Sequence, residues 1–445
     1  MNNDDTNKPP DPSVFRAHQN SDCQCLSVVE FPNERKFALL TADSAGRVKL
    51  WNGETLRNVW TAEDAKLVSI LAVEVVEDDE DMDACAFITH GRDGSAGLWV
   101  SSSSSSSSLD DDDGEAGDEC KFEEEKRENI FPPKRWRRKP TLKQVLETES
   151  ECHTFCRMSN VIAIRNRAVI AARPASERGA VELVSVDLEA GRMTSKPLPL
   201  EKSNEDENNA NEKYGSVSAL RFLSKQTLMI GYESGHVTVA RMKSEGDVVL
   251  DEAFSTSSNS NLLLQSMSTQ RCFKDMVTCI DSYVLEDDEK ENEESKKQRE
   301  DEHEQEKDRP HVVAIGCADG SSAIYRVFES DGKEGDVFAL QKDSTKGPYH
   351  SPDDSTQGIA SLSFRPDRKL LAIGYWDGKT RIFSQKKASS KQLLVACLKT
   401  EKLVRTDRLP GVTSVRFRER GEYELFVCTR GDGCCRLWPI FPSVK

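Results

Sequence analysis

No run of apolar residues in this 445-residue chain approaches the roughly 20 needed to cross a bilayer as a helix. The polar N-terminal stretch also lacks the apolar core of a signal segment, so the expectation is a soluble, intracellular protein with no membrane partner. Familiar chemistry is missing too. The sequence holds no Gly-x-x-x-x-Gly-Lys phosphate loop, no His-Glu-x-x-His and no Gly-x-Ser-x-Gly. No enzyme, catalytic residue or cofactor is therefore expected.

A disulfide framework is equally absent. The thirteen cysteines are odd in number and scattered without a recurring spacing, which reads as reduced thiols. Cys279, Cys317 and Cys428 sit inside apolar runs, where a free thiol acts as a small hydrophobe. Cys152-His153-x-x-Cys156 has no second ligand pair, and in an extended strand Cys152 and His153 point to opposite faces. A structural zinc takes four ligands, so no metal is expected there. Cys434 and Cys435 likewise point oppositely and read as packing residues.

Positive charge is in short supply, with 61 Lys and Arg against 77 Asp and Glu and a formal net charge of −16. The deficit is local. Residues 110–125 carry ten acidic and one basic side chain, and residues 286–309 carry thirteen acidic and six basic. Together these two stretches account for the whole net charge, leaving a neutral body with acidic appendages. That balance argues against direct nucleic-acid binding.

What the chain does have is a repeat. Seven times a glycine is followed, five residues later, by the residue closing a short strand: Gly46 to Trp51, Gly94 to Trp99, Gly179 to Val184, Gly235 to Ala240, Gly320 to Tyr325, Gly378 to Phe383 and Gly433 to Trp438. Asp93, Asp319, Asp377 and Asp432 stand directly before Gly94, Gly320, Gly378 and Gly433. Asp-Gly between two β-rich runs marks a tight hairpin, and seven copies mark an architecture. Near the C-terminus each unit reads as four strands: GIASLSF, LLAIGYW, KTRIF and QLLVACL. Four antiparallel strands repeated seven times predict an all-β, seven-bladed WD40-type β-propeller.

The expected boundaries are 23–61 for blade 1, 66–100 with 141–147 for blade 2 around an insert at 101–140, and 151–200 for blade 3. Blade 4 spans 214–255 after a polar loop at 201–213, and blade 5 spans 272–345 around the insert 286–309. Blades 6 and 7 span 356–402 and 408–441. With strands named a to d from the channel outward, the inserts fall in the c–d loop of blade 2 and the a–b loop of blade 5, on one face. The 201–213 loop is a d–a connection, on the opposite face. The seventh repeat lacks an outer strand, and residues 12–18, PSVFRAH, are the expected donor that closes the ring and removes its free edge.

Several of these segments resemble one branch of WD-repeat proteins. PPDPSVFRAH, THGRDGSAGLW, TFCRMS, GYESGHV and, most specifically, GIASLSFRPDRKLLAIGYWDGKTRIF look like the ASTRA-associated family, whose animal relatives are called guanine-nucleotide-binding-protein β-subunit-like. The resemblance implies a non-catalytic scaffold linked to the co-chaperone complex that matures phosphatidylinositol-3-kinase-related kinases and AAA-type ATPases, and to chromatin remodelling. The alternative is a substrate receptor of a cullin-type ubiquitin ligase. Such receptors commonly end a repeat in Trp-Asp-x-Arg, whereas Trp51 is followed by Asn-Gly-Glu and Trp99 by Val and serines. A G-protein β subunit is disfavoured because no heptad helix precedes the first repeat.

Candidate site residues follow from the repeat. Trp376 precedes the turn aspartate of blade 6, and Arg92, Tyr232 and Arg430 are placed comparably in blades 2, 4 and 7, so the four are candidates for one partner surface. The turn residues Asp93, Gly94, Asp319, Gly320, Asp377, Gly378, Asp432 and Gly433 are read as structural, the carboxylates accepting from turn amides. His18 and His90 are read as hydrogen-bonding residues between blades. Lys134, Arg135, Arg137, Arg138 and Lys139 surround Trp136 as a possible nuclear-import cluster, so a nuclear or cytoplasmic location is expected, with the nucleus favoured.

Overall fold

Each of the seven repeated glycines opens a hairpin with φ between +61° and +83°: Gly46, Gly94, Gly179, Gly235, Gly320, Gly378 and Gly433 all occupy the region that favours a residue without Cβ. The computed structural model describes residues 11–16, 18, 21–31, 36–67, 69–76, 85–101, 132–147, 156–165, 168–175, 179–201, 214–243, 262–285, 310–328, 339–342, 358–385, 394–399, 411–418 and 424–440. The acidic stretches 110–125 and 286–309, the loop 202–213, and Cys152 and His153 lie outside them.

β1 (Ser13–Phe15) precedes the first repeat. Blade 1 is β2 (Cys23–Glu30), β3 (Phe37–Asp43), β4 (Arg47–Asn52) and β5 (Asn58–Glu63). Blade 2 is β6 (Ile70–Val76), β7 (Ala86–Gly91), β8 (Ala96–Val100) and β9 (Thr141–Leu146). Blade 3 is β10 (Ile162–Arg165), β11 (Ala168–Pro174), β12 (Val181–Asp187) and β13 (Arg192–Leu198). After β14 (Leu200–Glu201), blade 4 is β15 (Val217–Phe222), β16 (Thr227–Tyr232), β17 (His236–Lys243) and β18 (Leu263–Arg271). Blade 5 is β19 (Val277–Val284), β20 (His311–Cys317), β21 (Ser322–Phe328) and β22 (Ala339–Lys342). Blade 6 is β23 (Ile359–Phe364), β24 (Leu370–Tyr375), β25 (Lys379–Ser384) and β26 (Leu394–Lys399). Blade 7 is β27 (Val412–Phe417), β28 (Glu424–Thr429) and β29 (Cys435–Pro439), completed by β1.

The protein is a seven-bladed β-propeller. Blades 4 to 7, 1 and 2 contact one another through their innermost strands. The b strands β3, β7, β11, β16, β20 and β24 are buried along their whole length because blades cover both faces. That is why they read as near-continuous apolar runs rather than alternating ones. Outer strands are less covered: β5 is exposed at both ends, and β9 has no buried residue.

Closure follows the expectation. β1 pairs antiparallel with β29, Ser13 opposite Leu437 and Phe15 opposite Cys435. Three residues of ladder alone are weak, but Phe15 is fully buried, edge-on to Trp51 at 6.0 Å and tilted against Phe426 at 6.5 Å. Burying that ring contributes about 2–3 kcal/mol.

Two features depart from the plain repeat. β14 adds a fifth, parallel strand to the edge of blade 4, within a connection that the sequence presents as a polar loop. The 101–140 insert also ends in structure: α1 (Lys134–Arg137) buries Trp136 completely, and Trp136 O accepts from Trp60 Nε1 at 2.7 Å. Trp60, Phe87 and Trp99 stack beside it with centroids 6.1 and 5.7 Å apart. Trp136 thus anchors the basic cluster, and Arg137 Nε donates to Pro132 O.

Blade 3 is the irregular one. β10 has four residues, and the chain before it, from Cys156 to Val161, forms no strand, so Cys156 lies outside the strand expected around it. Ser159 instead holds this stretch to β11, its amide donating to Ala172 O and its hydroxyl accepting from Ala172 N, both at 2.8 Å. The described cysteines are all free, and burial pushes the Cys279 and Cys317 thiols up to about 12.

Candidate functional site

The b–c turns do more than reverse the chain. In six blades the residue that follows strand b donates its amide to the carbonyl of the residue just before strand a: Ser44 to Asp22, Arg92 to Ser69, Glu233 to Ser216, Ala318 to Met276, Trp376 to Gly358 and Arg430 to Gly411, at 2.9–3.1 Å. This bond sets one equivalent side chain per blade on the rim of the channel. Three of the four expected surface residues occupy it. Arg92 and Arg430 are exposed, and Trp376 is 36% exposed.

Tyr232 does not. It is the last residue of β16, turned inward and 1% exposed; burial pushes its hydroxyl up to about 12 although it is hydrogen-bonded to Thr238. The rim residue of blade 4 is Glu233, one position later. Strand alternation makes that single step decisive, because neighbouring side chains leave opposite faces. Blade 7 has the converse irregularity: its turn runs from Thr429 N to Cys434 O, one residue longer than Gly91 to Ser95, so Arg430 rather than Gly431 holds the rim.

Two glycines shape this rim by what they omit. A methyl group on Gly358 would lie 2.4 Å from the Trp376 ring, and one on Gly411 would lie 2.8 Å from Arg430 Nε. Both side chains therefore lie over the start of strand a and wall a cavity of about 530 Å³, rather than packing between blades. The turn aspartates sit behind this rim: Asp93 accepts from Ser95 N at 3.0 Å, Asp319 from Ser321 N at 2.8 Å, Asp377 from Lys379 N at 2.9 Å and Asp432 from Cys434 N at 3.1 Å.

Below the rim the channel narrows to a collar. In the same six blades the ladder between strands a and b shifts register after its first pair, as between Cys23 and Cys25 or Val412 and Ser414. A bulge leaves one residue out of the pairing and re-aims it. Those residues, Gln24, Leu71, Ser218, Thr278, Ala360 and Thr413, all line the cavity. Ser218 and Thr278 turn their hydroxyls back to Gly231 O and Gly316 O. Blade 3, whose a–b register shift falls between Ala163 and Arg165 instead of after the first pair, contributes Arg157, whose Nη2 crosses the channel to Gln24 O of blade 1 at 3.1 Å and to Thr413 O of blade 7 at 2.5 Å.

The opposite, a–b half of the channel is a second cavity of about 410 Å³ that also carries arginines. Arg157 lines this cavity as well, and the other three arginines there face carboxylates: Arg221 pairs with Asp281 at 3.0 Å, Arg416 with Glu74 at 3.3 Å and Arg365 with Asp367 at 2.5 Å.

One constellation resembles a catalytic triad. His18 Nδ1 lies 2.9 Å from Asp43 Oδ2, and His18 Nε2 lies 2.9 Å from the Thr41 hydroxyl. All three are fully buried, and Thr41 Oγ1 also accepts from Trp51 Nε1 at 3.0 Å. The set is consistent with a neutral imidazole: Thr41 donates to Nε2, and Nδ1–H donates to Asp43. Burial raises the Asp43 carboxyl, but hydrogen bonds from His18, Ser21 and the Arg47 amide outweigh it and hold it well below the carboxylate range. Burial also lowers His18, which Asp43 offsets only in part. A nucleophile sealed beneath a tryptophan reaches no substrate, so this network is a brace. His18 N also donates to Gly433 O, tying blade 1 to blade 7. His90 differs from expectation: it is fully buried, has no hydrogen-bond partner among the described residues, and is pushed down to about 3 by burial and by Arg173.

Arg157 and the collar were not found by sequence reasoning. The signal available was an arginine in TFCRMS, at the start of the blade whose first strand is least regular.

Residues 347–384, spanning most of blade 6, match the family described as WD domain, G-beta repeat. No curated protein matches the sequence. Among solved structures the chain is similar to the β-propeller domain of Cps50 (Swd1) from Myceliophteria thermophila, with TM-score 0.58, 9% identity and coverage of 96% of this chain and 99% of that one. It is also similar to the RRP9 WD40 repeats (TM-score 0.52, 13% identity, covering 97% and 99%) and to U3-55K (0.52, 12%, covering 97% and 100%). At these identities the likeness is one of fold.

Proposed function

We propose that this chain is a non-catalytic protein-interaction scaffold of the ASTRA-associated type, and that its partners dock on the b–c mouth of the channel. The observation behind the docking site is the rim itself: Trp376, Arg430 and Arg92 are held at one equivalent position on blades 6, 7 and 2. Tryptophan and arginine are enriched at the anchoring points of protein interfaces. The ASTRA-associated reading rests on the sequence resemblance, whose most specific stretch is the blade that supplies Trp376. On that reading the partners are the co-chaperones that mature phosphatidylinositol-3-kinase-related kinases and AAA-type ATPases, met in the nucleus.

Affinity purification with mass spectrometry from nuclear and cytosolic extracts tests both parts. The expected result is nuclear recovery of kinase-maturation co-chaperones, reduced about tenfold or more by Trp376→Ala, as for the loss of an interface anchor. Recovery of cullin adaptors instead would move the protein to the ubiquitin-ligase receptors. Equal yields for wild type and Trp376→Ala would move docking off this mouth.

A further inference from the structure

The collar residue Arg157 is bound at one corner and open at the others. Its Nη2 donates to Gln24 O and Thr413 O, but among the described residues Nε and Nη1 have no hydrogen-bond partner and no carboxylate pairs with the guanidinium. A guanidinium offers five N–H donors in a planar fork. Here it is half-buried and lines the b–c cavity as well as the a–b one. Desolvating a cation without a counter-charge is costly, and a carboxylate is the group that both matches the fork and supplies the charge.

The surroundings point the same way. Among the described residues the cavity is lined by three arginines, Arg92, Arg157 and Arg430, and one carboxylate, Asp22, whose Oδ1 accepts from Gly431 N at 2.7 Å. Asp22 is thus engaged by the blade 7 turn. Beside Arg430 the exposed Trp376 ring offers a flat apolar wall. Cations at floor and rim, with an aromatic face between, form a socket for one anion carried on a chain with apolar neighbours.

We propose that the b–c mouth receives an acidic side chain from an extended segment of a partner protein, the carboxylate resting on Arg157 beneath Arg430 while a flanking residue packs on Trp376. This rests on the scaffold reading above and adds the chemistry that the mouth selects. A polyanion fits poorly, because among the described residues the collar presents one guanidinium rather than a basic track.

The test is selection of a degenerate ten-residue peptide library, fixed at its central residue as Glu, Asp, Gln, Lys or phosphoserine, on the immobilised full-length chain. The expected result is retention of the Glu and Asp pools about tenfold or more above the Gln pool, the scale of a charge-assisted hydrogen bond, with the Lys pool excluded. Arg157→Gln and Arg430→Gln should each erase the preference, while Arg192→Gln, at an exposed strand end away from the mouth, should leave it. Arg157 braces three blades, so its variant is read only where its melting temperature matches wild type, and Arg430→Gln carries the test otherwise. No acidic preference in the wild type, or a preference kept by Arg430→Gln, overturns the inference. So does retention of a fluorescent single-stranded oligonucleotide that competes with the Glu pool. Failure of the scaffold reading is distinguishable, because it is judged by the proteins recovered in the purification.

Discussion

The two ends of the channel are built from the same strands and carry the same kind of cation, yet they treat it differently. At the a–b end, Arg221 on strand a of blade 4 meets Asp281 on strand a of blade 5, and Arg416 on strand a of blade 7 reaches past blade 1 to Glu74 on strand a of blade 2. At the b–c end, Arg92 and Arg430 project from turns, and Arg157 hangs from the one blade whose first strand is broken. Among the described residues Arg221 and Arg416 have carboxylate partners on other blades, whereas no carboxylate pairs with Arg157. The same ring of strands thus pairs some of its channel arginines and leaves one without a counter-charge.

The ends differ again in how they are held. The b–c rim rests on buried networks, of which Asp43 is the densest: it accepts from His18, Ser21, the Arg47 side chain and the amides of Ala45 and Arg47. Asp43→Ala strands these donors, and we expect it to lower stability by about 3–5 kcal/mol, the cost of removing one partner from a buried ionic network. Chemical denaturation measures this, and a loss below about 1 kcal/mol would break the contrast.

The next effect is on pH. In the unfolded chain His18 and His90 take up protons near pH 6.5, whereas in the fold both stay neutral to lower pH, His90 to about 3. The unfolded state therefore binds more protons below pH 6.5, and stability falls as the pH falls through that value. For His90 the slope approaches about 1.4 kcal/mol per pH unit, or about 2 kcal/mol between pH 6.5 and 5, and His18 acts in the same direction. Melting temperatures across this range should fall more steeply for wild type than for His90→Gln; parallel profiles would remove His90 from the account.

The smallest effect belongs to the a–b mouth. Arg221 and Asp281 are partly exposed, so a double-mutant cycle should give a coupling of only about 0.2–1 kcal/mol and leave partner recovery unchanged. A coupling as large as the Asp43 effect would mean that the two mouths are braced alike.

Much of the fold was legible because hairpin chemistry is local. Asp-Gly and glycine turns need particular backbone angles, and period-two or continuous apolar runs need particular burial, so blade number, strand order and the donor strand PSVFRAH followed from them. The site was legible in part. Trp376 and Arg92 stand two residues before their turn glycines, a spacing that in blade 4 gives the rim residue Glu233 rather than the buried Tyr232 and that shifts by one at Arg430, where the turn is a residue longer. β14 and the buried Trp136 were hidden inside polar stretches, where contacts distant in sequence outweigh local composition.

The sequence by itself determined seven repeats, their turns and their apolar strands, since each depends on residues within one hairpin. The tertiary structure decided which arginines acquire carboxylate partners, where the bulged residues gather into a collar, and that Arg157 reaches blades 1 and 7. Those outcomes depend on closing the ring, which brings residues as far apart as Arg157 and Thr413 to hydrogen-bond distance.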